Sequence, residues 1–275
     1  MNKMTAIPQN YKNNVEWIFR AYENAGVTFP NGFQKDAIQN AVGARKTNKW
    51  KNWTCNISIC KTEKGEFVIV EDSGTMGLTG DNIPAEEIYK LMASGETLDS
   101  TQRLARFTSM FNSGGNTTGG GLFGAGKSVY SVASDTYTYY FDSLRDDGLY
   151  IANVNKCGQV HSVAFENEAA KQFILKNTGL KEKQTIGTRI IIEAPKKELV
   201  GSILDESIVF FIQESWWRII QRLDTSAAIS VNGKPVAVPI EIFKTNHRFD
   251  LDKPKVYLNG YRVKHFGFYV FDKGE

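Results

Sequence analysis

The sequence predicts an α+β fold: a two-layer α/β sandwich in which helices lie against one face of a mixed, mostly antiparallel sheet. Three observations carry this expectation. Apolar residues first recur at helical spacing (Phe33, Ala37, Ile38, Ala41, Val42) and then alternate at strand spacing from Cys55 to Cys60. After Val129, strand-like segments dominate and are separated by turn signals, which suits antiparallel pairing. The chain's 275 residues, 41% of them hydrophobic, suffice for a real core in one large domain or two modest ones.

From about Val15 to Asp72 the order reads helix, helix, strand, strand, with Asn31-Gly32 as the start of the second helix. Phe67-Val68-Ile69-Val70 is the second strand, joined to the first through Lys64-Gly65. Pro84 opens a short helix over residues 85–93, and residues 98–111 read as another. Residues 112–121 are too rich in Gly and small polar side chains to pack a core. They read as a flexible loop or as backbone that a ligand approaches closely. Strands follow at residues 137–141, 149–154, 160–165 and 189–193, with turns at Asp146-Asp147-Gly148 and Lys156-Cys157-Gly158. A helix over residues 205–223 is apolar on most faces, and Asn232-Gly233 marks a tight hairpin between 228–231 and 234–238. The pattern divides the chain into a first domain, 1–195, and the start of a second, 196–275. Because the chain stops soon after strand-like residues 268–271, it is expected to be a piece of a longer protein.

Lys+Arg number 33 against 30 Asp+Glu, a net charge of +3, and the sequence pI of 8.6 is too mild to argue for nucleic acid by itself. No apolar run approaches the roughly 18 residues of a membrane span, and Met1-Asn2-Lys3-Met4 lacks a signal peptide's apolar stretch. Cys55, Cys60 and Cys157 have no metal-ligand spacing. An odd, sparse set points to reduced thiols and a cytoplasmic location. His161, His247 and His265 are scattered, which gives zinc chemistry or a histidine-based triad little support.

Residues 121–128, Gly121-Leu122-Phe123-Gly124-Ala125-Gly126-Lys127-Ser128, satisfy the pattern G-x-x-x-x-G-K-[ST]. A P-loop also needs a buried strand running directly into the first glycine, and a downstream apolar strand ending in an Asp for magnesium. The glycine-rich run before Gly121 contains no strand. A competing reading uses more of the chain. Asp36 and Asn40 stand four residues apart on one helix and project from the same face. Val70-Glu71-Asp72-Ser73-Gly74 ends a strand with an Asp and follows it with a glycine turn. The 121–128 loop opens a helix through Val129 to Ala133, and Gly187-Thr188-Arg189 opens a later strand.

These four elements, in this order, resemble the N, G1, G2 and terminal Gly-Thr boxes of the GHKL (Bergerat-fold) ATPases. That family includes DNA gyrase B subunits, mismatch-repair MutL proteins, heat-shock chaperones, histidine kinases and MORC proteins. The resemblance covers about residues 15–193 and implies ATP and Mg²⁺ as cofactors. By it, Asp72 accepts the exocyclic amine of adenine, Gly74 lets the ring pass the backbone, and Thr188 completes the pocket through its hydroxyl. Asn40 offers Mg²⁺ a neutral oxygen. Residues 121–128 supply N–H groups and a helix N-terminus to the phosphates, with Lys127 as a point charge. Asp36 stands where the family usually has Glu, as the base that polarises the attacking water; one methylene shorter, it implies slow turnover. Met76 occupies the place of the second G1 glycine, with Gly77 just after, and the N box ends in Gly43-Ala44 where Asp-Ala is usual. A lid over about residues 76–120 is implied. So is a second domain like the gyrase and MORC transducer, in which branch a lysine touches the γ-phosphate.

Plainer readings stand beside these. Asp36 and Asn40 alone would be the solvated face of an amphipathic helix, Asp72 a turn residue, Lys127 an exposed lysine and Thr188 a strand residue. Arg45, Lys46, Lys49 and Lys51 interleave with Trp50 and Trp53, a pattern that can bind single-stranded nucleic acid but also describes a solvated helix end with half-buried tryptophans. Trp216 and Trp217 read as core or interface packing. Arg103 and Arg106 either sense phosphate or belong to the surface. The resulting expectation is a Mg²⁺-dependent ATPase module whose lid closure and homodimerisation couple nucleotide state to a protein effector or nucleic acid, with no membrane partner. The alternatives are a nucleotide sensor with little hydrolysis, a P-loop nucleotidase and a nucleic-acid clamp subunit.

Overall fold

The computed structural model describes residues 4–6, 11–46, 50–96, 98–99, 101–108, 126–223, 225–238, 257–258 and 261–262. The chain divides into two units, Met1–Val236 and Ala237–Glu275. In chain order the first contains strand β1 (Met4–Ala6), helices α1 (Tyr11–Asn24) and α2 (Phe29–Gly43), and strands β2 (Thr54–Thr62) and β3 (Gly65–Ser73). Helices α3 (Ala85–Ala93), α4 (Arg103–Thr108) and α5 (Ser128–Val132) follow. Next come strands β4 (Thr138–Leu144), β5 (Tyr150–Lys156), β6 (Gln159–His161) and β7 (Phe165–Glu166), helix α6 (Asn167–Thr178) and strand β8 (Gly187–Glu193). Helices α7 (Lys197–Leu204) and α8 (Ser207–Ile220) and strands β9 (Ala228–Val231) and β10 (Lys234–Pro235) complete the unit. In the second unit, β11 (Tyr257–Leu258) pairs antiparallel with β12 (Tyr261–Arg262).

The described strands of the first unit form one sheet in the order β1-β6-β5-β4-β8-β3-β2-β9-β10, with β7 added on β5. All its pairs are antiparallel except β2 with β9, where Thr54 to Ile57 run beside Ala228 to Val231 in the same direction. The class is therefore α+β with a mixed, mostly antiparallel open sheet. Strand alternation sends Val68, Val70 and Asp72 to one face and Phe67, Ile69 and Glu71 to the other. The first face meets α5, whose Tyr130 packs on Tyr139 of β4 and Phe33 of α2. The second carries Phe67, Ile69, Tyr150, Ala152 and Ile191 against Ala170 and Ile174 of α6.

Local chemistry explains most boundaries. Thr28 precedes α2 and Pro30 sits in its first turn, where a missing N–H costs nothing. Phe33, Ala37, Ile38 and Ala41 form its buried stripe, and each fully buried large side chain is worth roughly 2–3 kcal/mol of transfer free energy. Asn31-Gly32 therefore lies inside the helix and does not start it; the Asn31 side chain accepts from Gln34 Nε2 at 3.0 Å. The hairpin read at Asn232-Gly233 is present, with φ of 47° and 75° at the two residues, as a tight two-residue turn requires.

Three readings shift. The 160–165 strand is two short ones, β6 and β7. The helix read at 98–111 is α4, Arg103–Thr108, with residues 109–111 outside the described set. Helix α6 has no counterpart in the sequence reading, because its buried stripe is only Ala170, Ile174 and Thr178. Helix α8 is bound to α2 through the buried carboxamide of Gln34, which donates to the Phe211 carbonyl (3.2 Å) and Ser215 Oγ (3.1 Å) and accepts from Trp216 Nε1 (2.8 Å). Strand β9 extends the sheet on β2. No helix among the described residues is long and apolar enough to cross a membrane.

Candidate functional site

Strand β3 carries a buried run, Phe67 to Val70, to the edge of the α5-side face and delivers Asp72 there at 9% exposure. Two donors converge on one oxygen of its carboxylate: the Thr75 hydroxyl and the Thr188 N–H, at 3.0 Å, both bond Oδ1. Burial pushes the Asp72 carboxyl up to about 6. The Thr75 and Thr188 hydrogen bonds and then the Lys183 charge pull it down, and Glu71 pushes it further up.

Two glycines make this geometry possible. Gly187 has φ +148°, and a Cβ on it would stand 2.3 Å from the Asp72 carbonyl oxygen. Gly74 has φ +69°, and a Cβ there would stand 2.2 Å from the Asn52 carbonyl oxygen. Its N–H donates to the Ile186 carbonyl at 3.1 Å, which closes the end of β3 onto the entry to β8. Beyond it, Met76 N–H donates to the Ala44 carbonyl at 3.1 Å, joining the segment to the end of α2. Ser143 of β4 then fastens the far side. Its hydroxyl donates to the Gly187 carbonyl (2.9 Å), accepts from Leu78 N–H (2.9 Å) and lies 3.4 Å from Thr188 Oγ1. Asp72, Gly74 and Thr188 are thus brought together, and Met76 is tied to the end of α2.

Asp36 and Asn40 lie one turn apart on α2, and each is engaged by a tyrosine. Tyr22 OH donates to Asp36 Oδ1 at 3.0 Å. Asn40 Nδ2 donates to Tyr130 OH at 3.1 Å, so its Oδ1 is the atom turned toward the glycine loop: a Cβ on Gly126 would be 3.6 Å from it and 3.9 Å from Asp36 Oδ1. Burial pushes the Asp36 carboxyl up to about 6, while Tyr22 and Lys35 pull it down. Tyr130 is the element between the two halves of the site. Its phenol is pushed well above its ordinary range by burial and by the nearby Cys55, Asp72 and Asp36.

Of the glycine loop, residues 121–125 lie outside the described set. Gly126 and Lys127 lead into α5, which Ser128 opens from a buried position. Five residues of helix carry a small dipole, so attraction for phosphate would rest on N–H groups and Lys127. The Lys127 ammonium donates to the Arg106 carbonyl of α4. Burial and then the Arg106 charge hold Lys127 well below the usual lysine range, at about 7. Burial and the Arg106 charge hold Arg103 of α4 below the usual arginine range, and the Asp72 charge raises it.

Of the basic stretch, Lys46 and Lys51 are exposed and Lys49 lies outside the described residues. Trp53 is fully buried and donates to the Ala41 carbonyl at 3.1 Å, Arg45 lies over the Trp50 ring at 3.7 Å, and Lys46 pairs with Asp146 at 2.6 Å. Trp53 therefore has no ring face to offer a base. Trp217 is buried at 7% exposure, consistent with packing. Among the described residues no three His, Cys, Asp or Glu side chains converge. A cation held at Asn40 would be one that takes few protein ligands and completes its shell with water and phosphate.

Sequence reasoning missed Thr75, Tyr22, Tyr130 and Ser143. Only Thr75 carried a local signal, as the hydroxyl three residues after a turn aspartate; the others reach the site from α1, α5 and β4. The chain matches no protein-family model, and no curated protein sequence matches it.

Proposed function

We propose that this chain is a Mg²⁺-dependent ATP-binding module of the GHKL (Bergerat-fold) kind that hydrolyses ATP slowly. The observation that carries the reading is the state of Asp72. Both of its hydrogen bonds land on Oδ1, and among the described residues no donor reaches Oδ2. A half-satisfied carboxylate fixed at the end of a central strand suits an exocyclic amine such as that of adenine. The Thr188 hydroxyl and the Gly74 turn flank it, as that ligand requires.

The second half of the site fits the phosphates and a magnesium ion. Asn40 would hold the ion through Oδ1, because Tyr130 engages the amide nitrogen. Magnesium bound there supplies charge neutralisation between phosphate oxygens. Asp36 is ionised at neutral pH and keeps Oδ2 for the attacking water while Tyr22 holds Oδ1. It orients that water and takes its proton. Being one methylene short, it does so from further away, which is the source of slow turnover. The segment 76–108 has its own small apolar cluster, Ile88, Leu98 and Ala105 with Ile83 and Leu91, as a lid that moves as a piece would need. Lid closure, homodimerisation and coupling to an effector are part of the proposal.

A P-loop site sits at the mouth of a parallel strand, whereas β3, β8 and β4, which surround Asp72, pair antiparallel. The two readings part on one variant. Asp72→Asn replaces an accepting oxygen by a donor that faces the ligand's own donor. A charge-assisted hydrogen bond is worth about 1.5–3 kcal/mol and an unpaired buried donor about 1–3 kcal/mol more, so ATP affinity should fall on the order of 10²–10⁴-fold. Isothermal titration of Mg-ATP onto wild type and Asp72→Asn measures it; equal affinities would overturn the proposal. Asp36→Asn should bind ATP and fail to hydrolyse it. If wild type also binds without turnover, the chain is a sensor.

A further inference from the structure

Lys183 lies in a segment that no motif claims, and its side chain is completely buried. Its ammonium donates to Glu71 Oε1 at 2.6 Å, Thr185 Oγ1 at 2.9 Å and Ser73 Oγ at 3.2 Å. Three donors meet three acceptors, and the acceptors belong to the two chain segments that build the Asp72 pocket. Glu71 and Ser73 flank Asp72 on β3, on the opposite face of the sheet; Thr185 stands two residues before Gly187 and three before Thr188, whose N–H bonds the carboxylate. Ser73 Oγ and Thr185 Oγ1 also lie 2.7 Å apart, so the two segments are joined behind the pocket by one ammonium and one hydroxyl pair.

We propose that Lys183 is the positioning residue of the Asp72 pocket: it clamps the end of β3 to the entry of β8 and supplies, from behind the sheet, the positive charge that keeps the carboxylate accepting. A buried ammonium carries a large desolvation cost, and three hydrogen bonds to one junction are what offset it. A methionine of similar length would fill the space without the cost, so packing alone gives no reason for a lysine here. The other groups facing Asp72 are Thr75 and Thr188 by hydrogen bond, Glu71 beside it on β3, Cys55 opposite it on β2, Tyr130 from α5 and Arg103 from α4. Lys183 pulls the Asp72 carboxyl down and Glu71 pushes it up, so removal of one or the other acts with opposite sign.

The consequence for nucleotide rests on the proposed function, but the clamp is tested without any ligand. Carboxyl ¹³C shifts of aspartate-labelled protein, with the Asp72 resonance identified by its loss in Asp72→Asn, give the titration midpoint of Asp72 directly. Lys183→Met should raise that midpoint by about one pH unit, and Glu71→Gln should lower it. Lys183→Arg, which keeps the charge, should stay within a few tenths of wild type. Should Lys183→Met fail to fold, Lys183→Gln, which keeps a donor at the junction and removes the charge, should raise the midpoint in the same way, and an unmoved midpoint there overturns the assignment. An unmoved midpoint in folded Lys183→Met, or a rise in Glu71→Gln, overturns the assignment. In a parallel Mg-ATP titration at pH 6.5, Lys183→Met should bind several-fold more weakly than wild type and recover by pH 8.5. If wild type binds no ATP while the midpoints move as stated, the nucleotide reading fails and the clamp stands.

Discussion

Gly187 opens β8 against the backbone of Asp72, and replacing it by alanine tests whether that contact is what positions the carboxylate. A methyl group there would stand 2.3 Å from the Asp72 carbonyl oxygen, 2.9 Å from its carbonyl carbon and 2.7 Å from Oδ1. Gly65 provides an internal control: it opens β3 at φ +141°, close to the +148° of Gly187, yet a Cβ on it meets nothing within 4 Å. Gly65→Ala therefore carries the backbone term alone, about 1–3 kcal/mol for a non-glycine residue in this region. Gly187→Ala carries the same term plus an overlap that relaxes only by pulling β8 from β3, typically about 1–3 kcal/mol more. The gain from a stiffer unfolded chain is the same in both and cancels in the difference. Urea unfolding followed by tryptophan fluorescence should show Gly187→Ala less stable than Gly65→Ala by about 1–3 kcal/mol at equal m. Mg-ATP affinity should fall in Gly187→Ala and hold in Gly65→Ala. If Gly187→Ala is no less stable than Gly65→Ala, the close approach does not exist and the pocket geometry is wrong.

Other expectations follow from the buried carboxylates. Asp72 titrates near 4 in an unfolded chain and about 6 in the fold, so its contribution is favourable below about pH 4 and is lost as the pH rises through about 6. Asp72→Asn should therefore raise the unfolding free energy by about 1–3 kcal/mol at pH 8 without nucleotide and leave it unchanged near pH 4. Denaturant midpoints at the two pH values check this, and a loss of stability at pH 8 would contradict it. Tyr22→Phe removes a hydrogen bond that stabilises ionised Asp36, so the acid limb of the kcat profile should move up by about half to one pH unit. A limb that stays in place would mean that Asp36 is not the group titrating in turnover.

Local chemistry decided much of what the sequence alone determined. Asn232-Gly233 can hardly do other than form its hairpin, since both residues tolerate positive φ, and helix α3 begins at Ala85, directly after Pro84. The strand ending in Asp72 and the turn at Gly74 were legible because a short run of aromatic and β-branched residues followed by glycine is a local pattern, and so was the spacing of Asp36 and Asn40 on one helical face. Tertiary structure decided the rest. The parallel pairing of Thr54 with Ala228 joins residues far apart in the chain, and no periodicity announces it. Helix α6 was invisible because only three of its residues, Ala170, Ile174 and Thr178, are fully buried. Tyr22, Tyr130, Ser143 and Lys183 became site residues only when separate elements brought a single hydroxyl or ammonium within 3.5 Å of a partner more than ten residues away. Hydrogen bonds of that reach depend on where whole elements pack, whereas turns and caps depend on the few residues that make them.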